Sequence, residues 1–119
     1  MHELSIAEAL LNQVQREMTA RQISAIDKIG LRLGALSGVM PDSLQFCFQA
    51  IVAGTSLAKT ELVIENLQIM GKCESCSREF PIKNFFFSCP ACRSVQIQVL
   101  QGYELEIAYL EIPTTEQAS

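Results

Sequence analysis

Four cysteines in two pairs constrain this chain more than any other feature: Cys73-Glu74-Ser75-Cys76 and Cys89-Pro90-Ala91-Cys92, with twelve residues between the pairs. A Cys-x-x-Cys turn aims both sulfurs at one point. Two such turns close a tetrahedron of thiolates around one zinc ion. The intervening segment is slightly shorter than is usual for the pattern, yet long enough for a small loop or hairpin. Four protein ligands leave no open position for water or substrate, so the spacing argues for a structural metal and against catalysis at it.

Two other uses of the cysteines weigh less. Disulfides need an oxidising compartment, but the N-terminus carries Glu3 and Glu8 and has no basic start or apolar core of a signal peptide. A reducing cytosol would keep these thiols free for metal. A thioredoxin-like redox motif needs one pair, not two matched ones. The expected location is cytoplasmic.

At 119 residues the chain is one small domain, or one domain with a metal-stapled appendage. Its net charge is -4, and four thiolates on a dication add about -2 locally. That balance speaks against general nucleic-acid binding, which needs a basic footprint. Lys72, Arg78, Lys83 and Arg93 cluster around the cysteines and read as offsets to an anionic zinc centre. No apolar run reaches the ~18 residues of a membrane span.

Ser5-Ile6-Ala7-Glu8 fits a capping box, so a helix is expected from near Ser5. Ala7, Leu10, Leu11, Val14 and Met18 then recur at helical spacing and form a core stripe. Ile29, Leu31 and Leu33 alternate with Lys28, Gly30 and Arg32, a half-buried strand. Gly34 to Pro41 reads as a loop. A second helix is expected near Asp42, with Gln45 completing a capping box and Pro41 just outside. Its apolar face carries Leu44, Cys47, Phe48 and Ile51, and the odd cysteine Cys47 reads as a small buried hydrophobe.

Residues 61 to 70 read as one strand, with a bulge near Glu65 and Asn66 where the alternation falters. After the cysteine segment, Val95, Ile97 and Val99 alternate with polar residues, as do Tyr103, Leu105, Ile107 and Tyr109. Gln101-Gly102 between them predicts a hairpin. The expected fold class is α+β: two helices packed on a small mixed β-sheet, with a four-cysteine zinc ribbon or knuckle inserted between sheet strands. The expected division is 1–70 plus 95–112 for the α/β body, 71–94 for the zinc-binding part, and a polar, frayed tail over 113–119. Phe85, Phe86 and Phe87 cannot all point inward. One or two are expected to pack around the zinc and the remainder to stay available to a partner.

His2 is the chain's one histidine. A lone histidine is usually a surface residue, but position changes its weight. The α-amine of Met1, the amide nitrogen of His2 and its imidazole can hold one metal in fused chelate rings. Square-planar nitrogen sites select Cu(II) or Ni(II). A fourth donor is needed, from the Glu3 amide, the Glu3 carboxylate or an incoming group. Such a site loads and releases metal, unlike the closed cysteine site. No nucleophile–base pair, no phosphate-binding glycine loop and no second histidine suggest an enzyme.

Met1-His2-Glu3-Leu4-Ser5-Ile6, Pro41-Asp42-Ser43-Leu44-Gln45-Phe46, the four-cysteine insertion and Gly102-Tyr103-Glu104-Leu105 follow one another in this order. Together they resemble the HypA/HybF family, accessory proteins for nickel insertion into [NiFe]-hydrogenase. The resemblance covers essentially the whole chain. It implies a nickel metallochaperone with labile Ni2+ held at the N-terminus through His2, with Met1 and Glu3 as companions. It also implies structural Zn2+ at Cys73, Cys76, Cys89 and Cys92. The implied partners are a maturation GTPase of the HypB type and the hydrogenase large subunit, with no nucleic acid and no membrane, the protein itself being a monomer or homodimer. Some members also serve urease. Some use a further histidine from the zinc region toward nickel; this chain has none there, so that contribution does not carry over. Glu3 is then the nearest fourth donor and Asp42 a remote one. The rival reading is a zinc-ribbon adaptor for protein contacts that ignores nickel.

Overall fold

The computed structural model describes residues 2–114. Helix α1, His2–Arg21, buries Ala7, Leu10, Val14 and Met18 of the expected stripe, while Leu11 is only partly buried against the same core. It reaches back to His2, so Ser5 lies inside the helix rather than capping it. Glu3 favours this earlier start, since a carboxylate in the first turn complements the helix dipole. The helix ends at Gln22, whose φ is 56°. There Ile23 N–H donates to the Met18 carbonyl at 2.8 Å, closing a Schellman-type cap.

Strand β1, Lys28–Gly34, is followed by helix α2, Pro41–Val52, and strand β2, Glu61–Leu67. β1 and β2 pair in parallel from Lys28↔Glu61 to Gly34↔Leu67, with α2 as the crossover. The expected bulge at Glu65 and Asn66 is absent, because both keep register with β1. α2 opens one residue earlier than expected, with Pro41 in its first turn and Met40 as N-cap. Proline suits that position because its missing N–H would have no intrahelical acceptor. Gln45 closes no capping box; its side-chain amide donates to the Leu62 carbonyl and ties α2 to β2.

The stretch 61–70 is two strands, not one. β3, Ile69–Cys73, leaves the first sheet after Gln68 and becomes the centre of a second. β4, Glu79–Ile82, and β5, Ile97–Gln101, flank β3, both antiparallel. β6, Leu105–Glu111, returns to the first sheet and pairs antiparallel with β1, giving the order β2-β1-β6. The predicted hairpin across Gln101-Gly102 therefore does not form: β5 and β6 belong to different sheets. Val95 stands exposed ahead of β5 rather than within it. Gly102 makes the crossing instead, its carbonyl accepting from Leu36 N–H at 2.7 Å. The cysteine-bearing sheet is thus inserted between β2 and β6 of a mixed sheet that carries two helices, an α+β arrangement.

Each sheet has its own buried cluster. The larger one joins Ala7, Leu10, Val14 and Met18 of α1 to Leu44, Cys47 and Phe48 of α2 and to Ile29, Leu31 and Leu33 of β1. Cys47 is buried there, as its place on the apolar face predicted. The smaller cluster holds Ile69, Cys73, Phe80, Ile82 and Cys89.

Where the two sheets meet, Gly34 lies directly against the Gly102 carbonyl, and a Cβ would overlap it. Backbone cannot swing aside as a side chain can. Gly34→Ala is expected to cost at least about 1–3 kcal/mol, the range for forced overpacking. Urea unfolding should show a lower midpoint at unchanged slope. A midpoint equal to that of the parent chain would contradict the close approach.

Candidate metal centres

The two cysteine turns are built alike. In the first, Ser77 N–H donates to the Cys73 carbonyl at 2.8 Å and Cys73 N–H to the Arg78 carbonyl at 2.9 Å. In the second, Arg93 N–H donates to the Cys89 carbonyl at 2.9 Å and Cys89 N–H to the Ser94 carbonyl at 2.9 Å. Ser77 and Arg93 both take positive φ, 67° and 64°, which lets each chain reverse just past its second cysteine. Amides then aim at sulfur: Cys76 N–H donates to Cys73 Sγ at 3.4 Å, and Cys92 N–H to Cys89 Sγ at 3.5 Å.

The four sulfurs lie within 4.8 Å of one another. Cys73 Sγ to Cys92 Sγ is 3.5 Å and Cys76 Sγ to Cys89 Sγ is 3.6 Å. A tetrahedron with Zn–S bonds near 2.3 Å has edges of about 3.8 Å, so the donor set fits a four-thiolate metal. Cys73 and Cys89 are buried and Cys76 and Cys92 exposed. The sequence brought together all four.

The thiols differ sharply in acidity. The Cys76 amide, against the effect of burial and helped by the Ser75 amide, lowers the Cys73 thiol to about 6. The Cys92 amide lowers Cys89 in the same way. At Cys92 the Ser94 amide also pulls downward. Cys73, burial, Cys89 and Cys76 outweigh it and push that thiol up to about 12. One cluster cannot hold four thiolates at neutral pH without a cation among them. Zinc would supply that charge and, with four sulfurs around it, no reactive position.

The second candidate centre lies at the start of α1. The His2 side chain is 61% exposed, with Nδ1 3.9 Å from Glu3 Oε2. The same Glu3 oxygen accepts the Met40 N–H at 3.1 Å. α2 has no side-chain cap of its own at Met40, so Glu3 supplies one from the other helix. That bond, first among several causes, holds the Glu3 carboxyl below its ordinary value. One oxygen of a candidate nickel donor is thus already engaged, a link between residues far apart in sequence that no local pattern announces. The first four N–H groups of a helix have no intrahelical acceptor. Metal binding at the His2 and Glu3 amides would therefore break no helical bond. Asp42 sits in the first turn of α2. Met1 lies outside the described residues.

The family profile for hydrogenase/urease nickel incorporation, the metallochaperone HypA, matches residues 1–112. The chain belongs to the HypA family. Hydrogenase maturation factor HypA of Geobacter metallireducens is 38% identical over 112 residues, which span 94% of this chain and 99% of the relative. The same factor from Chlorobaculum parvum is also 38% identical over 112 residues, 94% of this chain and 99% of the relative. The fold is that of two HypA solution structures. One, the Ni metallochaperone HypA of Helicobacter pylori, superposes at TM-score 0.63 with 20% identity, over 92% of this chain and 96% of that one. The other superposes at TM-score 0.70 with 21% identity, over 95% and 97%. HypA is a metallochaperone family of hydrogenase maturation, not an enzyme family, and this member carries a four-cysteine metal site. Among the described residues no helix is long and apolar enough to cross a membrane.

Proposed function

We propose that the chain carries Ni(II) at its N-terminus and delivers it during maturation of [NiFe]-hydrogenase, with zinc held structurally by Cys73, Cys76, Cys89 and Cys92. The observation that carries this reading is the contrast between two centres. The four sulfurs form a closed set, whereas His2 stands open at the start of α1. A cargo ion needs the second kind of site. Met1 and His2 supply the chelate nitrogens. Glu3 either adds its amide nitrogen or fixes His2 through its bond to Met40. The β2-β1-β6 sheet with its two helices handles nickel, and the β4-β3-β5 sheet with its four cysteines binds zinc. The protein works in the cytoplasm, with a GTPase of the HypB type and the hydrogenase large subunit as partners.

The same donor set predicts that Cu(II) binds more tightly than Ni(II), following the Irving–Williams order. Competition titration should show copper displacing nickel one for one. Nickel that resists equimolar copper would argue against a nitrogen chelate.

Delivery is tested by loading the chain with radioactive nickel and adding GTPase and apo large subunit. Label should move to the large subunit, and His2→Ala should carry none. Transfer at the same rate by His2→Ala would remove the N-terminus from the pathway.

A further inference from the structure

Lys83, Asn84, Phe85 and Phe86 form a tight turn, closed by the Phe86 N–H donating to the Lys83 carbonyl at 3.0 Å. Both central residues, Asn84 and Phe85, have φ of 56°. A turn with two left-handed central residues favours Asn followed by Gly. Asn84 meets the first preference. Phe85 stands where glycine is at ease and a side chain is strained. It gains no burial in exchange: Phe85 is 63% exposed and Phe86 71%. Phe87 turns inward and packs on the cluster of Cys73 and Cys89. The strain at Phe85 disfavours folding and the two exposed rings offset none of it by burial, and such outliers point to a use outside the fold.

Phe86 borders an open groove with Phe80, Pro81 and Pro90, flanked by Lys83 and Arg93. No carboxylate lines it, and neither cation has an ion-pair partner among the described residues. The second sheet and its loops carry Lys72, Arg78, Lys83 and Arg93 against Glu74 and Glu79, in a chain of net charge -4. Four thiolates on a zinc ion would offset this surplus over the end as a whole, so the positive charge a partner meets is that of Lys83 and Arg93 at the groove rim. We infer that the turn and groove are a docking site for an acidic segment of a partner protein that also presents a large apolar side chain. Two flanking cations match a few carboxylates, and the Phe and Pro lining matches the apolar group. A nucleic-acid strand fits worse, because it needs a longer basic track than the two cations of this rim. His2 and Glu3 take no part, so the site stands or falls apart from nickel carriage.

The test uses the full zinc-loaded chain against short peptides bearing Glu or Asp around one Phe or Leu, their Lys-substituted counterparts, and a single-stranded oligonucleotide. Binding should require both the carboxylates and the apolar residue, and should weaken with salt. Phe86→Ala and Phe85→Gly should each lower affinity about tenfold or more, as loss of an aromatic anchor does. Phe85→Gly should also keep its zinc and raise the thermal midpoint, which a merely structural phenylalanine would not allow. Lys83→Glu should shift preference toward the Lys peptides. Oligonucleotide binding without peptide binding, binding indifferent to charge, no peptide binding at all, or unchanged affinity in Phe85→Gly would each overturn the proposal.

Discussion

Cys73→Ser is expected to lose the zinc and, with it, the second sheet, while the helical body stays folded. The cluster under that sheet has five buried residues, Ile69, Cys73, Phe80, Ile82 and Cys89, and two of them are thiols. So small a core does not stand without a staple. Zinc bound by a small domain contributes on the order of 10 kcal/mol of folding free energy, and removing one of four ligands forfeits several kcal/mol of it, more than a core of five buried residues can lose. The larger cluster shares no buried residue with the smaller, so its loss should not spread. Zinc content should fall below stoichiometric, and amide protection should vanish across β3, β4 and β5 while persisting in β1 and α2. A serine variant that still bound one zinc, with β3 protected, would contradict this account.

Acid should act in the same direction. Zinc binds thiolates, so protons compete with it. Above pH about 6 the Cys73 thiol is already largely ionised, while Cys92, pushed up to about 12, must still give up its proton to the metal. As pH falls below about 6, Cys73 must be deprotonated as well, and the loss of zinc affinity per pH unit steepens. A chelator titration across this range measures that slope.

The second large effect is expected from blocking the N-terminus. A short Gly-Ser extension turns the Met1 amine into an amide and removes one donor of the chelate. Losing a residue that merely supports a ligand costs about 10–100-fold in metal affinity, so losing a donor should cost roughly 100-fold or more. Zinc stoichiometry and helix content should not change, because the extension touches neither buried cluster. Isothermal titration with nickel on the extended and native proteins would show this. Equal affinity in both would sink the chelate.

The helices were legible because their apolar spacing is local: Ala7, Leu10, Val14 and Met18 are all buried, as are Leu44, Cys47 and Phe48. The cysteine centre was legible for the same reason, since each knuckle is a few residues long. Strand partners were not. Leu67-Gln68-Ile69 continues an extended pattern, yet β2 pairs with β1 while β3 pairs with β4 and β5. Alternation tells which face a residue takes, not which strand lies beside it. Gln101-Gly102 carries a hairpin signal, but the Gly102 carbonyl is claimed by Leu36, a residue from a distant loop. Likewise Ser77 and Arg93 hold left-handed positions that a glycine would have announced. The Glu3–Met40 bond joins two helix starts that only the tertiary fold brings together.

The central claim is that one chain holds two metals by different means. It is tested most directly by metal stoichiometry and nickel affinity on protein with its native N-terminus, beside His2→Ala. One tightly held zinc is expected in both proteins, and one exchangeable nickel in the native protein that is lost in the variant. Zinc alone in both, with nickel binding weak and indifferent to His2, would contradict it and leave a zinc-stapled adaptor.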